Sequence, residues 1–247
     1  MKRLGFFGGL RAFVGGAAWV VSTPSAWPLA AVPVLVALAL ATLFVGGGVW
    51  GAFAASESLR HGGSALGAAG GWALTVVLVV AAVVVGWLVA ITLAQPVSGP
   101  ALDGLSRRVE VSLGGQHRPD GPFWETVWRG LRVTLAGLAV GLPLIAILTV
   151  LGMVIPGAVV VTVPLKFVVA ALLLSWDLMD YPFGLRGMRV RDRVAFMRAN
   201  LGAALGFGLA CSVLMLIPAV GLLVLPLGVA GATRAVVATE RELPSTS

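Results

Sequence analysis

Charged side chains are scarce in this chain. Aspartate, glutamate, lysine and arginine make up 11% of its 247 residues, whereas soluble domains carry about 25%. Residues 12–56, 61–102, 133–165 and 199–233 hold no formal charge at all. Each of these stretches exceeds the roughly 20 apolar residues that a helix needs to cross a bilayer core about 30 Å thick. A soluble domain is therefore excluded, and the unbroken runs exclude an outer-membrane barrel, whose segments alternate over about ten residues. The sequence predicts an all-α integral membrane protein.

Cysteine and histidine are almost absent. The single cysteine, Cys211, excludes an internal disulfide and any CxxC metal or redox motif. The two histidines, His61 and His117, are predicted on opposite sides of the membrane, so they cannot share a metal. The chain also lacks an HExxH motif, a GxSxG motif and an aspartate pair inside an apolar stretch. We therefore predict no enzyme activity, no catalytic residue, no metal and no cofactor.

Basic residues outnumber acidic ones by 17 to 10, which gives a net charge of +7. Such an excess can indicate nucleic-acid binding, but here the arginines flank the apolar stretches, where orientation and anionic headgroups explain them. We predict membrane lipids as partners and no nucleic acid. By the positive-inside rule, the flanks of residues 27–95 lie in the cytoplasm and the short loop with Glu57 lies outside. The sequence thus predicts a multi-pass protein of the bacterial inner (plasma) membrane with both termini cytoplasmic.

The first 132 residues predict three kinds of segment. Residues 4–21 place large apolar side chains at helical spacing and carry Arg11, which is typical of an amphipathic helix in the membrane interface. A signal peptide cleaved near residues 23–26 is the alternative. Residues 27–95 predict two transmembrane helices, and residues 103–132 a cytoplasmic segment.

An internal repeat marks the second half of the chain. An Ile-Pro pair, seven residues and a Pro-Leu pair occur twice, in the middle of the apolar regions 131–178 and 201–237. Neither turn has a charged, amide or hydroxyl side chain, which an aqueous loop would carry. We predict two re-entrant hairpins that stop inside the membrane, with ordinary pairs of spanning helices as the alternative. The residues of the predicted turns are Ile155, Pro156, Gly157, Pro164, Ile217, Pro218 and Pro226.

Few charges lie near these hairpins. Lys166 is the only formal charge between Arg132 and Asp177, and it either supports an anion or extends to the interface. Asp177 and Asp180, one helical turn apart, are expected to pair with Arg186 or Arg189. Residues 179–200 predict a cytoplasmic basic loop that faces headgroups and could also concentrate anions at a pore mouth. The arginines of this loop are Arg186, Arg189, Arg191 and Arg193.

Several motifs together indicate a family. Residues 180–183 read Asp-Tyr-Pro-Phe, residues 217–218 read Ile-Pro, and residues 226–233 read Pro-(x)₄-Gly-Ala-Thr. In this order and spacing they resemble the CysZ-type sulfate permeases, a superfamily shared with eukaryotic etoposide-induced membrane proteins. The resemblance covers residues 22–233. It implies two long transmembrane helices plus two hemi-penetrating helical hairpins, assembly into homo-oligomers, and passage of sulfate or sulfite without ATP.

One motif of the resembled family is missing. Its members bind sulfate through a Gly-Leu-Arg or Gly-Ile-Arg-Arg element just before the first long helix, whereas this chain has Ser25, Ala26, Trp27 and Pro28 there. Without a cation at this place only backbone donors remain, so weak sulfate binding is predicted. The sequence predicts a permease for a small inorganic, sulfate-like anion, with Lys166, Ser25, Ala26 and Trp27 as candidate anion-binding residues. The alternative is a non-transporting scaffold or accessory protein that uses the same fold for lipid or protein contacts.

Overall fold

The structure is a computed structural model that describes residues 4–60, 65–115, 122–155, 157–217, 221 and 223–241. Helices make up nearly all of these residues. They are α1 (Phe6–Ser22), α2 (Trp27–Arg60), α3 (Ala65–Val97), α4 (Gly99–Ser112), α5 (Phe123–Val154), α6 (Val159–Leu185), α7 (Val190–Ala199), α8 (Leu201–Met215) and α9 (Val224–Arg241). A 3₁₀ turn, Pro24–Ala26, joins α1 to α2.

The lengths of these helices confirm a multi-pass membrane protein. Within the described residues, Pro24–Glu57, Ala69–Val97, Phe123–Val154 and Val159–Leu185 are long and apolar enough to cross a bilayer. In contrast, α8 has 15 residues, which at 1.5 Å per residue span about 22 Å, less than the hydrocarbon core. Helix α8 also meets α7 at an angle of 91°. The apolar region 201–237 therefore begins with a helix too short to cross by itself.

The chain divides into two compact units. The smaller unit comprises Val34–Val97, which is most of α2 and all of α3. Its helices pack closely where glycine removes a side chain: a Cβ on Gly48 would lie 2.9 Å from the Cβ of Ala82, and one on Gly86 would lie 2.9 Å from the backbone nitrogen of Val45. Across the same pair of helices, the buried hydroxyl of Thr75 donates to the hydroxyl of Ser56 at 2.6 Å.

The larger unit comprises the chain up to Pro33 and from Ser98 onward. Its core packs α6, α8 and α9 together, with α1 and α4 against them. Large side chains such as Leu178, Phe183 and Phe207 are at most 1% exposed there. Phe207 comes from the charge-free stretch 199–233, and Leu178 and Phe183 come from a segment with few charges. The core is therefore built from the apolar parts of the sequence.

Helix α1 matches the predicted segment 4–21 closely, but it packs on protein along a small-residue face. The buried residues of α1 are Gly9, Phe13, Gly16 and Val20, and they contact α8 and α9. The large apolar residues of the opposite face, including Phe7, Val14 and Val21, are exposed. The apolar face predicted for the membrane is therefore the outward face, except that Phe13 is buried in the core.

Two predicted segments differ in the structure. Residues 179–200 are mostly helical rather than a loop, because α6 continues to Leu185 and α7 begins at Val190. In the predicted turns, Ile155 follows α5 and Gly157 adopts φ +81, which only glycine adopts freely. Pro164 lies inside α6 and Pro226 inside α9, so neither belongs to a turn. Ile217 follows α8, while Pro156 and Pro218 fall outside the described residues.

Candidate functional site

The turn before α2 is the place where the sequence predicts anion binding. Pro24 opens a 3₁₀ turn that ends at Ala26, and α2 continues from Trp27. Trp27 is 55% exposed, and its indole Nε1–H donates to the carbonyl oxygen of Val20 at 3.1 Å. Ala26 is fully buried and Ser25 is exposed. The amides of this turn are already bonded within it: the N–H of Ala26 donates to the carbonyl of Thr23 at 2.9 Å, and the N–H of Trp27 donates to the carbonyl of Pro24.

An arginine from a distant part of the sequence reaches this turn. The guanidinium of Arg108, on α4, donates from Nη1 to the backbone carbonyl of Ser25. The two residues are 83 positions apart, so no local motif could reveal the contact. The prediction that the turn has no cation is therefore wrong, because α4 supplies one. From the sequence, Arg108 is one of the arginines flanking the apolar stretches, which orientation and anionic headgroups explain.

Helix α4 is held on the side opposite Arg108 by buried polar contacts. Asp103, Ser106 and Glu110 are 4%, 0% and 3% exposed. The Ser106 hydroxyl lies 2.7 Å from the hydroxyl of Thr233 on α9, and Glu110 forms an ion pair with Arg186 at 3.3 Å. The first contact joins α4 to α9, and the second joins α4 to the residue that follows α6. Together they fix the rotation of α4 about its own axis.

Asp103 belongs to a network of ion pairs. Both of its carboxylate oxygens accept from Nη2 of Arg129, on α5, at 2.9 and 2.7 Å. Arg129 also lies 3.5 Å from Asp180, and Asp180 accepts a hydrogen bond from Arg193 of α7. Glycine at position 184 makes room, since a Cβ there would lie 2.7 Å from the Arg129 guanidinium. The expected pairing of Asp180 with Arg186 or Arg189 is wrong, and sequence reasoning missed Arg129 as its neighbour.

Arg186 has different partners. Its guanidinium contacts Glu110 of α4 and Glu240 of α9, and it donates to the carbonyl of Pro182 at 2.9 Å. Burial alone would lower its pKa, but the carboxylates of Glu240 and Glu110 outweigh burial and raise the pKa of Arg186. Burial, and then the charge of Arg129, lower the pKa of Arg193. Arg186 and Arg193 are therefore structural ion-pair residues, whereas Arg189 and Arg191 are exposed.

The remaining candidates lie along α6. Lys166 is half-buried, and none of the ion pairs among the described residues includes it. Asp177 lines two apolar grooves on either side of α6. One, of about 160 Å³, faces α5 and includes Gly141, and the other, of about 360 Å³, faces α8 and includes Met215. Neither groove brings Lys166 and the turn before α2 together.

These features define a class of protein: a multi-pass helical membrane protein in which an arginine contacts the turn before a long apolar helix. Comparison with known proteins supports the same class, a multi-pass helical membrane protein. Residues 12–226 match the family described as "Sulfate transporter CysZ/Etoposide-induced protein 2.4". The chain therefore belongs to this family, as its motifs indicate.

Individual relatives carry the same name. The chain is 32% identical over 168 residues to a protein from Pseudomonas paraeruginosa named "Sulfate transporter CysZ", with 66% of each chain covered. It is 31% identical over 152 residues to a protein of that name from Vibrio parahaemolyticus, with 58% of this chain and 59% of the relative covered. The chain thus spans 66% of the length of the Pseudomonas relative.

Proposed function

We propose that this protein is a permease that passes a small inorganic anion of the sulfate class across the bacterial inner membrane without ATP. Its relatives are named sulfate transporters, and the four candidate spans agree with a transport role. The proposal includes cytoplasmic termini and assembly into homo-oligomers, with no nucleic-acid partner and no cofactor. The anion is proposed to bind at the turn 24–27.

The contact of Arg108 with Ser25 carries this proposal. Sulfate is doubly charged and strongly hydrated, so an apolar turn with only backbone donors would bind it poorly. A guanidinium offers a fixed fork of donors that suits tetrahedral oxyanions, and its charge-assisted bonds are about twice as strong as neutral ones. With Arg108 beside the start of α2, the turn gains a cation that its own residues do not supply. Lys166 remains a second candidate cation, farther along the chain.

The two hairpins are proposed to remain within the membrane. At the first turn, Val154 and Val160 are 71% and 78% exposed, and at the second Leu216 is 65% exposed. Large exposed apolar side chains at a turn are stable in lipid and costly in water. Helices α5 and α6 are nevertheless long enough to cross, so a full span remains the alternative for the first hairpin.

A non-transporting scaffold is the second candidate function. The chain's own residues 25–28 lack the family's arginine element, and the buried charges of the network are already paired within the protein. A scaffold of this fold would bind lipid or protein and would not move sulfate. Nucleotide-free proteoliposomes that hold the purified protein distinguish the two functions, because only the permease accumulates radiolabelled sulfate.

The proposed site predicts a specific effect of Arg108. We expect Arg108→Gln to weaken sulfate binding about tenfold or more, because it removes a charge-assisted contact worth about 1.5–3 kcal/mol. Isothermal titration of the purified protein measures the affinity, and sulfate flux into proteoliposomes should fall with it. Arg198→Gln is the matched control, since Arg198 is an exposed arginine on α7. Equal affinities in the wild type and Arg108→Gln would place the anion elsewhere.

A further inference from the structure

Thr233 ends the Pro-(x)₄-Gly-Ala-Thr motif, and the proposed function gives it no role. The residue lies on α9 and is fully buried. Its hydroxyl donates to the carbonyl of Val229 at 2.8 Å. Because a hydroxyl has one hydrogen, the 2.7 Å contact with Ser106 must use the Ser106 hydroxyl as donor and Thr233 as acceptor. Both hydroxyls are thereby hydrogen-bonded, and both residues are fully buried.

Helix geometry connects this pair to the anion site. At about 100° per residue, Asp103, Ser106 and Glu110 fall within an arc of about 60° on α4, and Arg108 lies on the other side of the helix. Along the axis of α4, the first and last of these contacts, at Asp103 and Glu110, are ion pairs with flexible arginine side chains, Arg129 and Arg186. The contact between them along the axis, at Ser106, lies at one edge of the arc and joins two short side chains, which tolerate far less rotation of α4. It is therefore the contact that determines where Arg108 points.

We infer that the Ser106–Thr233 hydrogen bond is a positioning contact of the anion site, which holds α4 in the rotation that brings Arg108 to Ser25. This role rests on the proposed function, since it acts on sulfate only through Arg108. Thr233 itself touches no anion, because its side chain is fully buried.

Isosteric substitution tests the role. Thr233→Val keeps the shape of the side chain but removes the acceptor, so α4 can rotate. We expect sulfate affinity to fall about threefold to tenfold, which is the size of effect expected when residues in contact are energetically coupled. Thr233→Ser restores the hydroxyl and should recover the affinity. The matched control is Thr75→Val in the smaller unit, because Thr75 is 2% exposed and its hydroxyl also bonds a buried serine, at 2.6 Å. Thr75→Val should leave sulfate affinity unchanged.

A double-mutant cycle separates positioning from general loss of stability. If Thr233 acts through Arg108, Thr233→Val should have no further effect on affinity in the Arg108→Gln background. Additive losses, or an unchanged affinity in Thr233→Val alone while Arg108→Gln is weakened, would overturn the positioning role and leave the proposed function intact. A wild type that binds no sulfate, or an Arg108→Gln variant that binds as the wild type does, would overturn the proposed site and the positioning role together.

Discussion

The buried ion pairs are the part of the structure that we expect to be most sensitive to the substitution of a single residue. Asp180 is 5% exposed and Arg193 is 8% exposed, and they are bound to each other. The attraction in such a pair roughly offsets the cost of removing both charges from water, so the intact pair adds little stability. Removing one partner is different, because the other charge stays buried without compensation.

Asp180→Asn should therefore destabilise the protein strongly. It leaves the guanidinium of Arg193 buried against a neutral amide and removes a neighbour of Arg129, which we expect to cost about 3–5 kcal/mol. Thermal unfolding in detergent, followed by circular dichroism, measures the change. Asp192→Asn is the control, since Asp192 is exposed on α7 and surface changes usually stay within about 0.5 kcal/mol. Equal changes in unfolding temperature in the two variants would contradict the conclusion that Asp180 compensates the buried charge of Arg193.

The sequence revealed which residues are charged but not which of them pair. A position next to a charge-free stretch predicts an interfacial arginine equally for Arg129, Arg186 and Arg191. Only the fold distinguishes them. It brings Asp103 and Asp180 to Arg129, and it brings Glu110 to Arg186. For the same reason the contact of Arg108 with Ser25 had no signal in the sequence.

At the scale of elements, glycine determines how closely α1 packs. A Cβ on Gly16 would lie 2.2 Å from the backbone nitrogen of Gly231, and one on Gly9 would lie 1.9 Å from the carbonyl oxygen of Ala203. Backbone atoms cannot move aside as a side chain can, so both positions require glycine. Helical spacing of large apolar residues predicted that α1 exists, but a small-residue face carries no hydropathy signal, so its protein contact was not predicted.

Gly16→Ala should displace α1. We expect a loss of about 1–3 kcal/mol from overpacking, together with weaker sulfate binding, because the end of α1 supplies the Val20 carbonyl that accepts from the Trp27 indole. Thermal unfolding and isothermal titration measure the two effects. Gly47→Ala is the control: a Cβ there meets nothing within 4 Å, so it should be neutral or stabilising by up to about 1 kcal/mol. Unchanged stability in Gly16→Ala would show that α1 does not pack tightly on α9.

At the scale of the whole molecule, the charge-free stretches predicted the membrane segments because hydropathy alone determines them. Residues 12–56 contain most of the candidate span Pro24–Glu57, and residues 61–102 contain the span Ala69–Val97. The depth of the hairpins is a different matter, since hydropathy does not distinguish a turn inside lipid from a short turn beyond it. Helix length adds information: α8 and α9 have 15 and 18 residues, whereas α5 and α6 have 32 and 27.

The last prediction concerns this depth. In a Cys211→Ala background, single cysteines at Ile155 and Ile217 should remain unlabelled when intact cells are treated with a membrane-impermeant maleimide. Both residues follow the ends of hairpin helices and are surrounded by exposed apolar side chains, which favours lipid over water at these turns. A cysteine at Glu57, in the predicted outer loop, is the positive control, and one at Arg191, in the segment predicted to be cytoplasmic, is the negative control. Because α5 and α6 are long enough to cross, labelling at Ile155 alone would show that the first hairpin spans the membrane. Labelling at Ile217 would contradict the re-entrant arrangement for the second, whose first helix is only about 22 Å long.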